Sequence, residues 1–256
     1  MIRVKIISLL LGALLALITF SILLFFTRTK TRDYPKIQKD GILNMVTENN
    51  LSDYYTDEDT IAGFQYELSQ YISSTSGLKV VIFLENDLDK CILGLENNTY
   101  DIIARNIPIT KENKDFLAFT HPISRSKQVL IQRKEEGSDK GSIVSHLQLA
   151  HKTLHVPKRS SAILRIKNLS EEIAEPIYIQ EMEGYSKEQL ISMVADKSID
   201  YAVMDKKIAQ AYQDLYPNID INMEITFTQL QAWAVRKNAP ILRDSLNKWL
   251  SEKMAN

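Results

Sequence analysis

Short apolar runs alternate with segments of helical spacing from residue 41 to the end of the chain. Examples are the strand-like runs at 42–46 and 78–84 and, between them, the helical segment 63–77, which ends on a glycine. Strands that alternate with helices of about 10–15 residues predict βαβ units and mainly parallel sheets. The charged, Gly- and Ser-containing stretch 135–142 interrupts the alternation, and the units are too many for one small sheet. We therefore expect an α/β protein with two lobes.

A long uncharged run precedes this body. Residues 6–26 carry no charge and are long enough for a helix of roughly 30 Å, the thickness of the hydrocarbon core of a bilayer. Residues 1–32 are therefore predicted to contain a hydrophobic helix, either a signal anchor or a cleaved signal peptide, and the length of the run favours the anchor. Residues 33–40 are predicted to be a polar tether. Both alternatives predict export to the periplasm or to the extracytoplasmic face of the cell membrane.

The charge of the body argues against nucleic acid as a partner. Residues 1–32 hold five basic and no acidic residues, which leaves 26 Lys and Arg against 32 Asp and Glu in the remainder, a net charge of −6. A mildly acidic domain lacks the basic surface that binds phosphate backbones. No nucleic-acid partner is predicted.

Motifs of enzyme chemistry are missing from the sequence. There is no GxGxxG, no GxxxxGK[ST] and no GxSxG motif. His146, His151 and His155 are close in sequence but have no neighbouring Cys or carboxylate that would complete a metal site. The single cysteine, Cys91, lies in an apolar helical pattern and is expected to be buried. We therefore predict neither an enzyme nor a bound cofactor or metal.

Five segments in order resemble one family of binding proteins. They are 59–68, which ends in GFQYEL, 95–103, 109–112, 119–122 and 199–205. Residues 41–256 are thereby similar to the family 3 extracellular solute-binding proteins, which are type 2 periplasmic binding proteins, and in particular to the binding domain of membrane-bound lytic murein transglycosylase F. The resemblance implies two α/β lobes joined by two crossing strands, with lobe 1 at 41–128 and 229–256 and lobe 2 at 129–228. It also implies a ligand in the cleft between hinged lobes.

The resemblance implies a ligand-binding role for Asp205. The aspartate at this position in amino-acid binders pairs with the ligand's ammonium group, and such a charge-assisted hydrogen bond is stronger than a neutral one. Asp205 also fits the start of a helix as an N-cap, and the two roles are compatible. The resemblance implies that Tyr54 or Tyr55 is the aromatic residue that stacks on the ligand, and the alternative for these residues is packing within lobe 1.

Asn113 departs from the family pattern. It stands where an arginine usually binds the ligand carboxylate, and asparagine cannot offer a cationic fork. Arg105 or Arg159 could supply the missing charge, and the helix start at Ser160 and Ser161 could also attract an anion. Asn106, next to Arg105, completes the set of predicted ligand-binding residues.

These observations favour a binding module for a small polar ligand, such as an amino acid, a short peptide or a muropeptide-like molecule. Its use would be transport with an ABC-type permease, or sensing beside the membrane. The alternative is a regulatory or interaction module that has lost small-molecule binding and acts on a partner such as a cell-wall enzyme. Transglycosylase activity would need a separate catalytic domain with an essential glutamate, and we do not expect it because the sequence up to Asn256 leaves no room for such a domain.

Overall fold

The computed structural model describes residues 32–58, 60–134 and 142–255. The predicted hydrophobic helix at 6–26 and nearly all of the interrupting stretch at 135–142 lie outside the described residues. Among the residues that are described, no helix is both long and apolar enough to cross a membrane. Residues 33–256 form one unit.

The first sheet mixes parallel and antiparallel strands. Its order is β4-β1-β5-β13-β6, and β7 also pairs with β13. β1 is parallel to both β4 and β5, whereas β13 returns antiparallel to β5. Most positions of β1 and β5 are buried, as expected for strands covered on both faces. The strands are β1 (Ile42–Thr47), β4 (Lys79–Leu84), β5 (Ile102–Pro108), β6 (Ala118–Phe119), β7 (Ser124–Ser126) and β13 (Gln229–Val235).

Helices pack on both faces of this sheet. One face holds a core around the fully buried Trp233, and the other holds a smaller core around Cys91, which is buried as predicted. A hairpin of β2 (Tyr55–Asp57) and β3 (Thr60–Ala62) precedes the second helix. The helices are α1 (Tyr34–Asp40), α2 (Phe64–Ser76), α3 (Leu88–Glu96), α4 (Lys111–Phe116) and α8 (Pro240–Ala255).

The tether predicted for residues 33–40 is wrong, because helix α1 occupies this segment. Asp33 caps the helix, and a proline stands in its first turn. Ile37 is fully buried in the first core, and the ring of Tyr34 lies 5.6 Å from that of Trp249 in an edge-to-face contact. The polar and basic composition of the segment concealed one buried apolar position, and that position docks the helix.

The second sheet has the strand order β10-β9-β11-β8-β12. β9, β10 and β11 are parallel, and β8 runs antiparallel to β11. Within the described residues, the apolar run at 221–227 forms no strand apart from an isolated bridge between Glu224 and Val129. The elements are β8 (Gln128–Arg133), β9 (Thr153–Pro157), β10 (Tyr178–Met182), β11 (Ala202–Asp205), β12 (Ile219–Asp220), α5 (Ala162–Glu172), α6 (Lys187–Ala195) and α7 (Lys206–Ala211).

Two chain segments connect the sheets. The chain leaves the first sheet after Ser126 and enters the second at Gln128, and it returns to the first sheet at Gln229. The predicted α/β fold with two lobes and two crossing strands is confirmed. We call the part built on the first sheet the first lobe and the part built on the second sheet the second lobe.

Candidate functional site

A cavity of about 350 Å³ lies between the two lobes. This volume falls at the lower end of the range for small-molecule sites, which are concave and built from apolar walls with a few polar groups. Its apolar walls come from both lobes and include Leu88, Ile107, Pro157, Met182, Met204 and Ile208.

Most of the predicted ligand-binding residues line this cavity. Asp205 and Ser161 approach it from the second lobe, and Arg105 and Asn106 approach it from the first. Arg159 and Ser160 line it as well, and so does Asn113, whose amide donates a hydrogen bond to the carbonyl of Pro108 at 2.9 Å.

Tyr54 and Tyr55 do not line the cavity, which corrects the predicted aromatic wall. The ring of Tyr54 packs edge to face on Tyr66, with 5.9 Å between ring centres. The preceding residue, Asp53, lines the cavity instead. Its carbonyl accepts hydrogen bonds from the first turn of α2, for example from the amide of Gln65 at 3.0 Å. The loop is therefore folded onto the helix start, and Tyr54 packs on that helix.

Asp205 ends strand β11 and begins helix α7. Its Oδ1 accepts hydrogen bonds from the amide of Lys207 at 2.9 Å and from the hydroxyl of Ser126 at 2.8 Å. Its Oδ2 accepts one from the side-chain amide of Gln231 at 2.6 Å. The residue is 9% exposed, and no described basic side chain forms an ion pair with it. Asp205 is thus a helix cap and a cavity-lining carboxylate at once, and its charge is met only by neutral donors.

Arg105 is committed to a buried ion pair. Its Nη2 lies 2.9 Å from Oε2 of Glu48, which follows strand β1, and its Nη1 donates to the carbonyl of Asn86. Lys187, the first residue of α6 in the second lobe, also binds Oε2 of Glu48, at 2.7 Å. Burial would raise the pKa of Glu48, but the two cations outweigh it and hold the pKa below its ordinary value. One carboxylate of the first lobe therefore binds a cation from each lobe.

Asp53 is a second buried carboxylate beside this cluster. It accepts hydrogen bonds from the side-chain amides of Asn50, Gln65 and Asn106 at 2.9–3.0 Å. Burial raises the pKa of Asp53, and the negative charge of Glu48 raises it further. Neutral amide donors position the Asp53 carboxylate without cancelling its charge.

A series of hydrogen bonds joins the carboxylates of Asp53 and Asp205 across the crossing strands. Asn106 donates to Asp53, and the hydroxyl of Ser124 lies 3.0 Å from Oδ1 of Asn106 and 2.7 Å from Oε1 of Gln231. Gln231 in turn donates to Asp205. Since Ser124 and Gln231 belong to β7 and β13, the strands that connect the lobes carry the middle of this series of hydrogen bonds.

Ion pairs also cross between the lobes at the edge of the cavity. Asp89, in the first turn of α3, lies 3.2 Å from Nζ of Lys158 and 2.5 Å from Nε of Arg159. The guanidinium of Arg159 also lies 5.7 Å from the ring of Phe116. These groups are about one-third to one-half exposed, so the pairs are weaker than the buried one at Glu48.

Sequence reasoning missed Glu48, Asp53, Asp89 and Lys187. One signal was available: Glu48 directly follows a buried parallel strand, and ligands of open α/β sheets bind at the carboxyl ends of the strands. No comparable signal marks Lys187, which meets Glu48 across 139 positions of sequence. Within the residues described, no group of three or more His, Cys, Asp or Glu is arranged to hold a metal ion.

Curated relatives of the chain are membrane-bound lytic murein transglycosylases F. The protein of that name from Desulfosudis oleivorans is 30% identical over 223 residues, which cover 86% of this chain and 47% of the relative. The one from Photobacterium profundum is 26% identical and covers 86% of this chain and 42% of the relative. The chain thus spans about half the length of these relatives.

Solved structures of binding proteins share the fold. An ancestral arginine-binding protein bound to arginine matches 84% of this chain and 93% of its own, with a TM-score of 0.72 and 25% identity. Holo ArgBP from T. maritima matches 86% and 94%, with a TM-score of 0.74 and 22% identity. The family model of the bacterial extracellular solute-binding proteins, family 3, matches residues 43–256. The chain therefore belongs to the bacterial extracellular solute-binding proteins, family 3.

Proposed function

We propose that this chain is an exported solute-binding protein that captures a small polar ligand between its two lobes. The observation that carries the proposal is the cavity of about 350 Å³, lined by both lobes and by the buried carboxylate of Asp205. Closure of two lobes around a small molecule is a common mode of ligand capture. The membership of family 3 and the arginine-bound relative support a ligand with a positively charged group.

The residues proposed to hold the ligand are those that meet at the cavity. Asp205 receives the ligand's positive group, and Asn106, Ser160 and Ser161 offer neutral hydrogen-bonding groups. Arg105 and Arg159 shape the electrostatic environment while paired with carboxylates of the chain. The protein acts by binding, and the site contains no proposed catalytic residue.

The setting of the protein is proposed from its N-terminal sequence. The uncharged run at 6–26 tethers the body to the cell membrane at the periplasmic or extracytoplasmic face. A tethered receptor favours sensing beside the membrane, or delivery to an ABC-type permease in the same membrane. The likeness to transglycosylase F makes a cell-wall enzyme a second candidate partner.

A thermal-shift screen of the full chain in mild detergent tests the proposal. The ligands are amino acids, short peptides and muropeptides, each tested on the wild type and on Asp205→Asn. A ligand present at 100 times its dissociation constant adds about 2.7 kcal/mol of stability, which raises the melting temperature by roughly 5–11 °C. The rise should disappear in Asp205→Asn. If no ligand class shifts the wild type, small-molecule capture is refuted.

A second candidate function is a regulatory module that binds a partner protein and no small molecule. The specific observation in its favour is that Asn113 supplies no cation for a ligand carboxylate, while Arg105 is bound to Glu48. A chain without any thermal shift that nevertheless binds and alters a purified cell-wall transglycosylase would support this second function.

A further inference from the structure

Carboxylates of the chain itself occupy every basic side chain that lines the cavity. Glu48 binds Arg105 and Lys187 inside the site. At the edge, Asp89 binds Lys158 and Arg159, and Glu85 lies 3.8 Å from Lys90. Each of these five cations already has a carboxylate partner, so a ligand carboxylate finds no unpaired cation among them.

The cavity nevertheless carries an excess of negative charge. Its six acidic residues are Glu48, Asp53, Glu85, Asp87, Asp89 and Asp205, against five basic ones. Glu48 is paired with Arg105 and Lys187. Asp53 accepts hydrogen bonds from side-chain amides, and Asp205 is buried and contacts only a hydroxyl and two amides. A buried carboxylate without a cationic partner is costly, and a bound cation removes that cost.

We propose that the cavity takes a ligand with one ammonium or guanidinium group, an apolar body and no free carboxylate. The class comprises amines, amino-acid amides and other carboxyl-blocked amino compounds. The inference rests on the proposed function, because it names the ligand class of the same site. The positive group meets Asp205, and the apolar body faces walls that include Met182, Met204 and Ile208. A free amino acid would also bring a carboxylate into a cavity whose lining residues already have a net charge of −1.

The pair of Arg105 with Glu48 does not give way to a ligand carboxylate. Both residues belong to the first lobe, so the pair persists when the lobes separate. Their side chains are 10% and 5% exposed, and releasing Arg105 would leave the Glu48 charge buried with a weaker set of partners. The cations at Lys158 and Arg159 are more exposed, and Asp89 meets them from the opposite lobe. Nζ of Lys158 also lies 2.6 Å from Oε1 of Glu183, so Asp89 is the carboxylate that keeps the Arg159 side chain from a ligand carboxylate at the edge of the cavity.

Calorimetric titration of the full chain with matched pairs tests the ligand class. Leucine and alanine are each compared with their amides, and 3-methylbutylamine serves as leucine without its carboxylate. At pH 6 the amino group of every probe is protonated. We expect each amide that binds to bind at least about tenfold more tightly than its amino acid, and Asp205→Asn to weaken the amides by about tenfold or more.

Three outcomes distinguish failure of this inference from failure of the proposed function. Amides and amines that bind more tightly than the amino acids support the inference. A free amino acid that binds as tightly as its amide overturns the inference and upholds solute binding. Failure of every probe and of the wider screen to bind overturns both.

The variant Asp89→Asn tests the excluding residue directly. It removes the carboxylate that binds the Arg159 side chain, while Lys158 keeps Glu183 as a partner. Amino-acid affinity should therefore rise, and the preference for amides should fall by about tenfold. The matched control is Asp200→Asn, which removes an exposed carboxylate paired with Arg133 outside the cavity and should leave the preference unchanged. An unchanged preference in Asp89→Asn would overturn the role of Asp89.

Discussion

The buried pair at Glu48 allows a sharp test of what stabilises this site. The substitution Glu48→Gln keeps the shape of the side chain and removes the charge that binds Arg105 and Lys187. Arg105 then remains buried without its carboxylate, since its guanidinium cannot lose its proton at ordinary pH. We expect Glu48→Gln to destabilise the folded chain strongly.

The expected loss is about 3 kcal/mol. Removing one partner of a buried ion pair costs about 3–5 kcal/mol, chiefly because the other charge is left uncompensated. Asp53 lies close enough to favour the charged form of Arg105 and offsets part of this cost, which places the value at the lower end. For a domain of this size, a loss of about 3 kcal/mol lowers the melting temperature by roughly 6–12 °C.

Thermal unfolding followed by tryptophan fluorescence measures the loss, because Trp233 and Trp249 are both buried in the first lobe. The matched control is Glu172→Gln. Glu172 binds Arg165 through a carboxylate that is 55% exposed, and the substitution should cost less than about 1 kcal/mol. If the melting temperature of Glu48→Gln lies within about 2 °C of that of the control, the buried pair does not stabilise the site.

Three further predictions concern closure, pH and the loop before α2. Lys187→Met removes a contact between the lobes and should raise the radius of gyration in small-angle X-ray scattering while costing about 2 kcal/mol, less than Glu48→Gln. The folded-state pKa of Glu48 is lowered from 4.5, so the stability that its charge contributes is present above pH 4.5 and is lost as the pH falls through the folded-state pKa. In melting curves from pH 3 to 7, the melting temperature of the wild type should approach that of Glu48→Gln in acid. Gly63→Ala should lower the free energy of unfolding in urea by about 3 kcal/mol, because φ is +122° and the new Cβ would collide with the backbone of Asp53. The control Gly77→Ala, at φ +72° and with open space around the new Cβ, should lower it by about 1 kcal/mol.

Local sequence patterns predicted the lobes because strand and helix periodicity is a local property. The same patterns placed Asp205 correctly between a strand and a helix, and the resemblance to the family placed it at the cavity. The patterns failed at 33–40, where one buried side chain, Ile37, decides the structure against the polar composition around it. The resemblance to the family failed at Tyr54, since the direction of a side chain in an irregular loop depends on how Asp53 folds onto the start of α2.

The pairing of charges could not be predicted from the sequence for a different reason. The site contains almost equal numbers of acidic and basic residues, and composition does not say which of them meet. Only the packing of the two lobes brings Lys187 to Glu48 and Asp89 to Arg159. The sequence thus predicted Arg105 as a candidate for the missing ligand cation, whereas the structure gives that cation to Glu48.

The arrangement of charges separates closure of the lobes from recognition of the ligand. The contacts that span the lobes at Glu48 and Asp89 are between groups of the chain, so they need no ligand carboxylate to form. Asp205, in contrast, is bound to Ser126 and Gln231 of the connecting strands, and its charge is left for a ligand to neutralise. A cation bound at Asp205 would therefore act on the segments about which the lobes move. A ligand shifts the equilibrium between open and closed lobes only if it binds the closed state more tightly than the open one. Under the proposed function, a positive group at Asp205 supplies that difference, because a carboxylate that closure removes from water gains more from a cationic partner.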